Sequence, residues 1–536
     1  MRIKKFVREN SLIILIGFLL FSLTVTLAVS VFIETDFFWH IKAGEYMNKH
    51  GILTKDVFSW YMYGKSWMSH EWLFEITIYN LSRLLGNGFY FIFPFACIGI
   101  LELIFFIYNK KNYLKNIPFT LLWIVFNFIL IFYIQIRPHL VGYIFLALTI
   151  WFLYDLYKNE NSKKIYVLPF LSICWANVHG GSSNLGYIFC FIFLITGLFS
   201  FKFSKIEAKR ISKKQSFKYF IVMILSMIAV CINVHGFKMF LYPYQNMGDS
   251  LMLSNIAEWQ PTVLNDTSHY LYFILAVFIL FVFIFSKRKI QLIDFVLFGV
   301  SLFLGLKSIR FWPFIYIIMN FIIFDYISKR KIDRGTNLGV FVIACLLILI
   351  SLNHYKEITL SNDLLLDDEV ITILKREKPT RLYNMYDYGG ILIYNDIEVF
   401  IDGRADLYSK YNYKDYLDIS CLKGDYPKLI EKYNFDYFLV SDEYQINTYL
   451  KYNDQYEVIY KNIKKGFYLY KKRALKCSFS LMKKIWHFQL IDPYNHYIVF
   501  LEHHRSKINL YFLYILLEFH SIENCFQIIF LLLVSL

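Results

Sequence analysis

The residues of this chain best suited to chemistry lie just beyond its first apolar run, where the sequence reads Asp36-Phe37-Phe38-Trp39-His40. Asp36 and His40 are one helical turn apart, at the level where a membrane surface would meet water. A carboxylate there could take a proton from an acceptor, or orient the acceptor, while a leaving group departs. The same segment continues through Gly44, Gly51, Asp56, Ser59, Trp60, Gly64 and Trp67 to His70-Glu71-Trp72. Its tryptophans also suit an interfacial aromatic belt, which needs no chemistry. His70-Glu71 is half of a zinc-protease motif, but Phe74 stands where the second histidine is required, and that excludes the protease.

A second set of ionisable residues falls at the ends of apolar runs: Arg137 with His139, His179 beside Gly180 and Gly181, His235, Glu258 and Arg310. Charged groups at that depth are costly and face a cavity or a partner. Arginine grips phosphate through two parallel hydrogen bonds, so Arg137 and Arg310 could hold a lipid-linked phosphate or diphosphate. Snorkelling, or pairing with Asp or Glu, is the structural alternative. Each histidine alone reads more simply as a satisfied structural residue; several on one side point to function. A third set is Tyr386-Asp387-Tyr388-Gly389-Gly390 and Asp402-Gly403-Arg404-Ala405-Asp406. Glycine pairs let backbones approach closely, and Asp402 follows a predicted strand, where ligand-binding loops collect. Turns closed by one Asp–Arg ion pair explain the same residues. No Walker motif, GxSxG or dinucleotide fingerprint occurs.

These sets must be held by a membrane-spanning body. The chain has 536 residues, is 57% hydrophobic and only 18% charged, with a mean hydropathy of +0.43. Soluble proteins carry about a quarter charged residues. Spanning helices are expected near 11–33, 88–108, 117–135, 138–157, 165–179, 184–201, 219–234, 269–285, 290–306, 309–327 and 337–353, about eleven in all. The first run follows a basic start and is too long for a signal peptide, so it reads as a retained helix. The net charge of +15 gathers in short loops that would all be cytoplasmic if the N-terminus is, as the positive-inside rule requires; nucleic acid is therefore not an expected partner. Loops 34–88 and 235–268 then face outward, together with the corners 135–139, 179–184 and 307–310. Residues 354–473, with a helix at Asp367–Arg376 and strands at Glu398–Ile401, Tyr437–Val440, Glu457–Tyr460 and Phe467–Tyr470, read as a small extracytoplasmic α/β domain. The tail 476–536 is a possible twelfth helix or a segment lying on the membrane. Of the eight cysteines, five fall in apolar runs; Cys421 and Cys477 could pair outside, although free thiols read better, and no zinc spacing occurs.

In this order and on this side, the residues resemble the GT-C superfamily of membrane glycosyltransferases over about 470 residues. Asp36 matches the first-loop aspartate of that superfamily. Ile256-Ala257-Glu258-Trp259 resembles the Ile-x-Glu element of the oligosaccharyltransferase catalytic subunit, and Asp387-Tyr388-Gly389 resembles part of its acceptor motif. The whole set is also similar to a group of bacterial membrane proteins carrying D-x-x-W-H, H-E-W-L and D-G-R-A-D strings. One departure matters: where oligosaccharyltransferases carry an acidic metal-binding motif, this chain has Gln135-Ile136-Arg137-Pro138-His139.

The resemblance implies transfer of a sugar from a polyprenyl-phosphate carrier in the bilayer to an acceptor in the cell envelope (glycan, lipid or protein). Asp36, Glu258 and Arg310 would be catalytic. His40, His70, Glu71, Arg137, His139, His179, His235, Asp387, Tyr388, Asp402 and Arg404 would bind substrate. No metal ligand is assigned, and a divalent ion is an open expectation. A transporter or flippase of an anionic or amphipathic substrate would explain the cavity charges but not the long outer segments, and internal repeats are missing. A membrane scaffold binding a partner through its outer domain is the third reading.

Overall fold

Glu34 to Leu85, expected as a loop, folds largely as two helices, Asp36–His50 and Trp72–Leu85, packed against each other. The first starts with the Asp36 carboxylate in its N-terminal turn, where the helix dipole favours negative charge. It stops at Gly51, whose φ of 85° needs no side chain. Phe37, Phe38, Ile41, Ala43 and Met47 make its buried face. Gly44 allows the crossing, since a Cβ there would strike the carbonyl of Glu75. The crossing brings His40 beside Glu75.

The computed structural model describes residues 11–29, 34–113, 134–246, 249–266, 269–327 and 365–473. The expected span at 117–135, apart from Ile134 and Gln135, lies outside them, as do the span at 337–353 and the tail. By its contacts the chain divides into Met1–Val263 with Leu271–Arg473, and a second unit of Leu264–Tyr270 with Ala474–Leu536. The described residues are mostly helical, with a small sheet-containing region. Trp72–Asn109 and Pro138–Lys158 are long and apolar enough to cross a membrane. The first joins Trp72–Leu85 to Phe89–Tyr113 through a 3-10 turn at Gly86–Gly88. Other apolar helices, including Lys164–Val178, Gly180–Thr196 and Tyr272–Phe285, are shorter, so length and apolarity alone do not reach the expected number of spans.

Several of these helices turn large apolar side chains outward. Along Tyr270–Phe285, Ile274, Val277, Phe281, Ile284 and Phe285 are all more than half exposed. A continuous apolar face of that kind is unfavourable in water and suits lipid.

Residues 365–473 hold a four-stranded sheet in the order Leu382–Asn384, Tyr437–Ser441, Phe467–Lys472, Tyr456–Asn462, parallel in the first pair and antiparallel thereafter. The helix Asp368–Glu377 forms where expected, its Asp367 side chain accepting from the Val370 N–H at 3.0 Å. The strand expected at Glu398–Ile401 does not form. Val399 makes one bridge, to Ser59, and the stretch is a buried connection. A short apolar run satisfies the strand pattern and a buried turn equally well.

Candidate functional site

Three carboxylates from two stretches of chain converge on the Arg137 guanidinium. Arg137 pairs with Glu34 through Nε and with Asp36 through Nη2, and its Nη1 donates to Glu258 Oε2 at 3.0 Å. The other oxygen of Glu258 accepts from Arg310 Nη1 at 2.9 Å. Each member has a local reason to be there. Arg137 is the extended residue before the helix opened by Pro138. Glu258 sits in a 3-10 turn whose carbonyl takes the Ser308 hydroxyl at 2.9 Å. The Arg310 guanidinium lies over the Trp259 ring, 4.9 Å from its centroid.

Exposure grades across this group. Arg137 is 11% exposed, whereas Glu258 and Arg310 are 34% and 29% exposed, so a ligand can reach the outer pair first. Burial would lift Glu258, but Arg310 and Arg137 outweigh it and hold the carboxyl below its usual range. Glu34 goes the other way. Burial, and the neighbouring Asp36 and Glu258 carboxylates, push it up to about 8 against the pull of Arg137. Arg137, ringed by acids, is held firmly charged although burial opposes it.

A second group surrounds Glu71. Its carboxylate faces His70 Nε2 at 3.4 Å, His179 Nε2 at 3.7 Å and His40 Nε2 at 3.8 Å. His40 Nδ1 lies 3.2 Å from Glu75 Oε1, and Glu75 Oε2 accepts from the Ser69 hydroxyl at 2.8 Å. Burial depresses His179 to about 3. His70 is also buried, yet the Glu71 carboxylate beside it overrides that and raises it to about 9. His139 joins the groups, within electrostatic range of Arg137 and Arg310 on one side and of His179 and Glu71 on the other. His235 Nε2 meets the Ser69 carbonyl at 3.1 Å and holds the loop that carries His70.

Asp402 and Arg404 require a correction. Both side chains are fully buried, with 0% exposure, which leaves no surface for the substrate they were expected to bind. Arg404 pairs with Asp402 and with Asp56, each at 2.6 Å, between the rings of Trp67 and Phe58. This ion triad fastens residues 402–408 to the segment after Asp36. The fastening has a consequence for Asp36: a Cβ on Gly403 would fall on its carboxylate, and one on Gly390 on the Thr35 carbonyl. Tyr388 is likewise a core residue, packed on Phe467. Asp387 stands nearer the site, and enclosure together with the Asp36 charge raises its carboxyl to about 6.

Of the residues singled out in the sequence, the structure brings Asp36, Arg137, Glu258 and Arg310 together; Glu34 and Glu75 were not singled out, and Asp56 was named only as part of the outer segment. Glu75 had a signal, since it stands four residues after Glu71 and shares its helix face. The carboxylates that could have held a divalent ion, Glu34, Asp36 and Glu258, already hold the Arg137 guanidinium, so an ion does not fit among them.

No protein-family model matches the chain, and no curated protein does. Among solved structures, the Archaeoglobus fulgidus oligosaccharyltransferase in the apo form aligns over 80% of this chain and 70% of its own, at 10% identity and a TM-score of 0.46. The archaeal oligosaccharyltransferase AglB from Archaeoglobus fulgidus, in complex with an inhibitory peptide and a dolichol-phosphate, aligns over 82% and 70%, at 10% identity and a TM-score of 0.47. Likenesses of that size leave the function to be read from the side chains.

Proposed function

We propose that this protein is a multi-pass membrane glycosyltransferase that moves a sugar from a polyprenyl-phosphate carrier to an extracytoplasmic acceptor. The observation that carries the reading is the meeting of Asp36, Glu258 and Arg310 through Arg137, with Glu258 and Arg310 open enough for a ligand to reach. Two guanidiniums whose ion-pair partners are all carboxylates are a ready-made phosphate site. A donor phosphate offers the same bidentate geometry with more charge, and would draw Arg310 and then Arg137 onto itself.

That exchange frees Asp36. The acceptor attacks the anomeric carbon and loses its proton to the Asp36 carboxylate. The bond from that carbon to the phosphate oxygen breaks, and its electron pair leaves on the phosphate, which Arg137 and Arg310 stabilise. Glu258 keeps both arginines in register between turnovers.

The test follows loss of sugar from a labelled polyprenyl-phosphate donor in membranes. Asp36→Asn keeps size and hydrogen bonding but removes basicity, and transfer should fall by about 10²–10⁴ while expression and insertion stay normal. Undiminished transfer would overturn the assignment and favour transport of an anionic substrate.

A further inference from the structure

The end of the molecule away from Arg137 holds a cavity that the transfer chemistry does not use. Its volume is about 330 Å³, at the small end of what ligand pockets enclose. Lys158, the last residue of the helix Pro138–Lys158, lines it together with Arg288, Lys289, Gln291, Asp294 and Asp325. Both acids are already engaged. Asp294 accepts from the hydroxyls of Tyr154 and Tyr326, and Asp325 pairs with Lys158 at 3.4 Å. Arg288 and Lys289 differ: among the described residues, neither side chain has a hydrogen-bond or ion-pair partner, and both are exposed. Three cations against two carboxylates leave the cavity one positive charge in excess. Neighbouring unpaired cations repel one another, and an anion between them turns that repulsion into attraction.

We propose that this cavity binds the phosphate head group of an anionic membrane lipid. Arg288 offers the planar fork that grips two phosphate oxygens, and Lys289 and Lys158 add point charges. What adjoins the cavity argues for a lipid over a soluble phosphate. The helix Tyr270–Phe285 turns Phe281, Ile284 and Phe285 outward, and Arg288 follows Phe285 by three residues. Acyl chains lying along that face bring their head group to the level of Arg288 and Lys289.

The opposite side of the cavity has the same character. Gln291 pairs with Glu207, and Glu207 with Lys202 of the strand Phe201–Phe203. That strand therefore runs two strand spacings from the cavity, roughly 10 Å. Its Phe201 and Phe203 share one face and are both exposed. Exposed rings interleaved with lysines suit the level of lipid head groups. Basic pockets between the helices of membrane proteins are binding places for anionic head groups. A head group held here would link Lys158, at the far end of the helix that Arg137 precedes, to the segment that carries Arg288 and Lys289.

The experiment uses the full chain, stripped of lipid in a neutral detergent. It is offered phosphatidylglycerol, phosphatidylcholine of the same chain length, or glycerol phosphate as the free head group. Native mass spectrometry should show phosphatidylglycerol retained on the chain after phosphatidylcholine has washed away. Arg288→Gln combined with Lys289→Gln should weaken that retention by about tenfold or more, the scale of two cations at an anionic head group. Lys209→Gln combined with Arg210→Gln removes the same charge from exposed positions outside the cavity and should leave retention unchanged. Phosphatidylglycerol should also raise the thermal unfolding midpoint of the unmutated protein, as a ligand of the folded state does. The first double variant should keep its lipid-free midpoint and lose the rise, which separates lost binding from lost folding. No retention of phosphatidylglycerol, equal retention of both lipids, or equal loss in the two double variants would overturn the site and leave ordinary surface charge. A midpoint raised as far by glycerol phosphate as by the lipid would overturn the lipid and give the cavity to a soluble phosphate. Neither readout depends on glycosyl transfer.

Discussion

At the scale of single residues, what distinguishes this site is that its central cation belongs to the chain. Arg137 reaches Glu34, Asp36 and Glu258 at once, which a planar fork with five donors can do and an ammonium cannot. Arg137→Lys should therefore behave as a loss despite keeping the charge. Transfer should fall by about 10²–10³, the usual cost of removing one oriented donor from a developing negative charge. Steady-state rates with the labelled donor measure it, and near-normal turnover would reduce Arg137 to a structural counter-ion. Glu258→Gln loosens both arginines and should also impair transfer. Since the carboxylates hold a guanidinium, excess Mg²⁺ or Mn²⁺ should not restore that variant.

At the scale of elements, the sheet-containing region matters because its Gly403 packs directly on Asp36. The Asp56–Arg404–Asp402 triad holds that contact. Removing only the arginine strands two buried carboxylates, so Arg404→Met should destabilise by about 3–5 kcal/mol, seen as a lowered midpoint in thermal unfolding. Gly403→Ala is the finer probe. Its Cβ has no room beside Asp36, so transfer should drop with a much smaller change in that midpoint.

The sequence made part of this arrangement legible. Asp36, Arg137, Glu258 and Arg310 were readable because ionisable residues beside apolar runs are conspicuous. The strands Tyr437–Ser441 and Phe467–Lys472 were readable from dense β-formers. The Asp36–His50 helix was hidden, because its inward-facing Phe, Trp and His resemble an interfacial belt and flanking glycines suggest a loop. Leu382–Asn384 is too short to show a period. The Asp402–Arg404 ion pair was one of the two readings the sequence offered; the second partner, Asp56, was beyond sequence, since it lies 348 residues away.

At the scale of the whole molecule, sidedness decides whether the site can meet a lipid-linked donor outside the cell. The helix Pro138–Lys158 offers a ruler. Its residues at 1.5 Å each span about 31 Å, the thickness of a bilayer core. Arg137 precedes one end. At the other, Lys158 contacts Tyr108 and Asp325, Lys164 pairs with Asp155, and Lys218 donates to the carbonyls of Glu160 and Ser162. Under the positive-inside rule the lysine-rich end is expected in the cytoplasm and the Arg137 end outside. Exposed positions at the two ends test this. In a Cys421→Ser background, cysteines replacing Lys65 and Lys410 should react with a membrane-impermeant maleimide on intact cells. Cysteines replacing Asn161 and Arg210 should react only after permeabilisation. Labelling of Arg210→Cys on intact cells would invert the molecule, leave Asp36 facing the cytoplasm, and take the extracytoplasmic transfer with it.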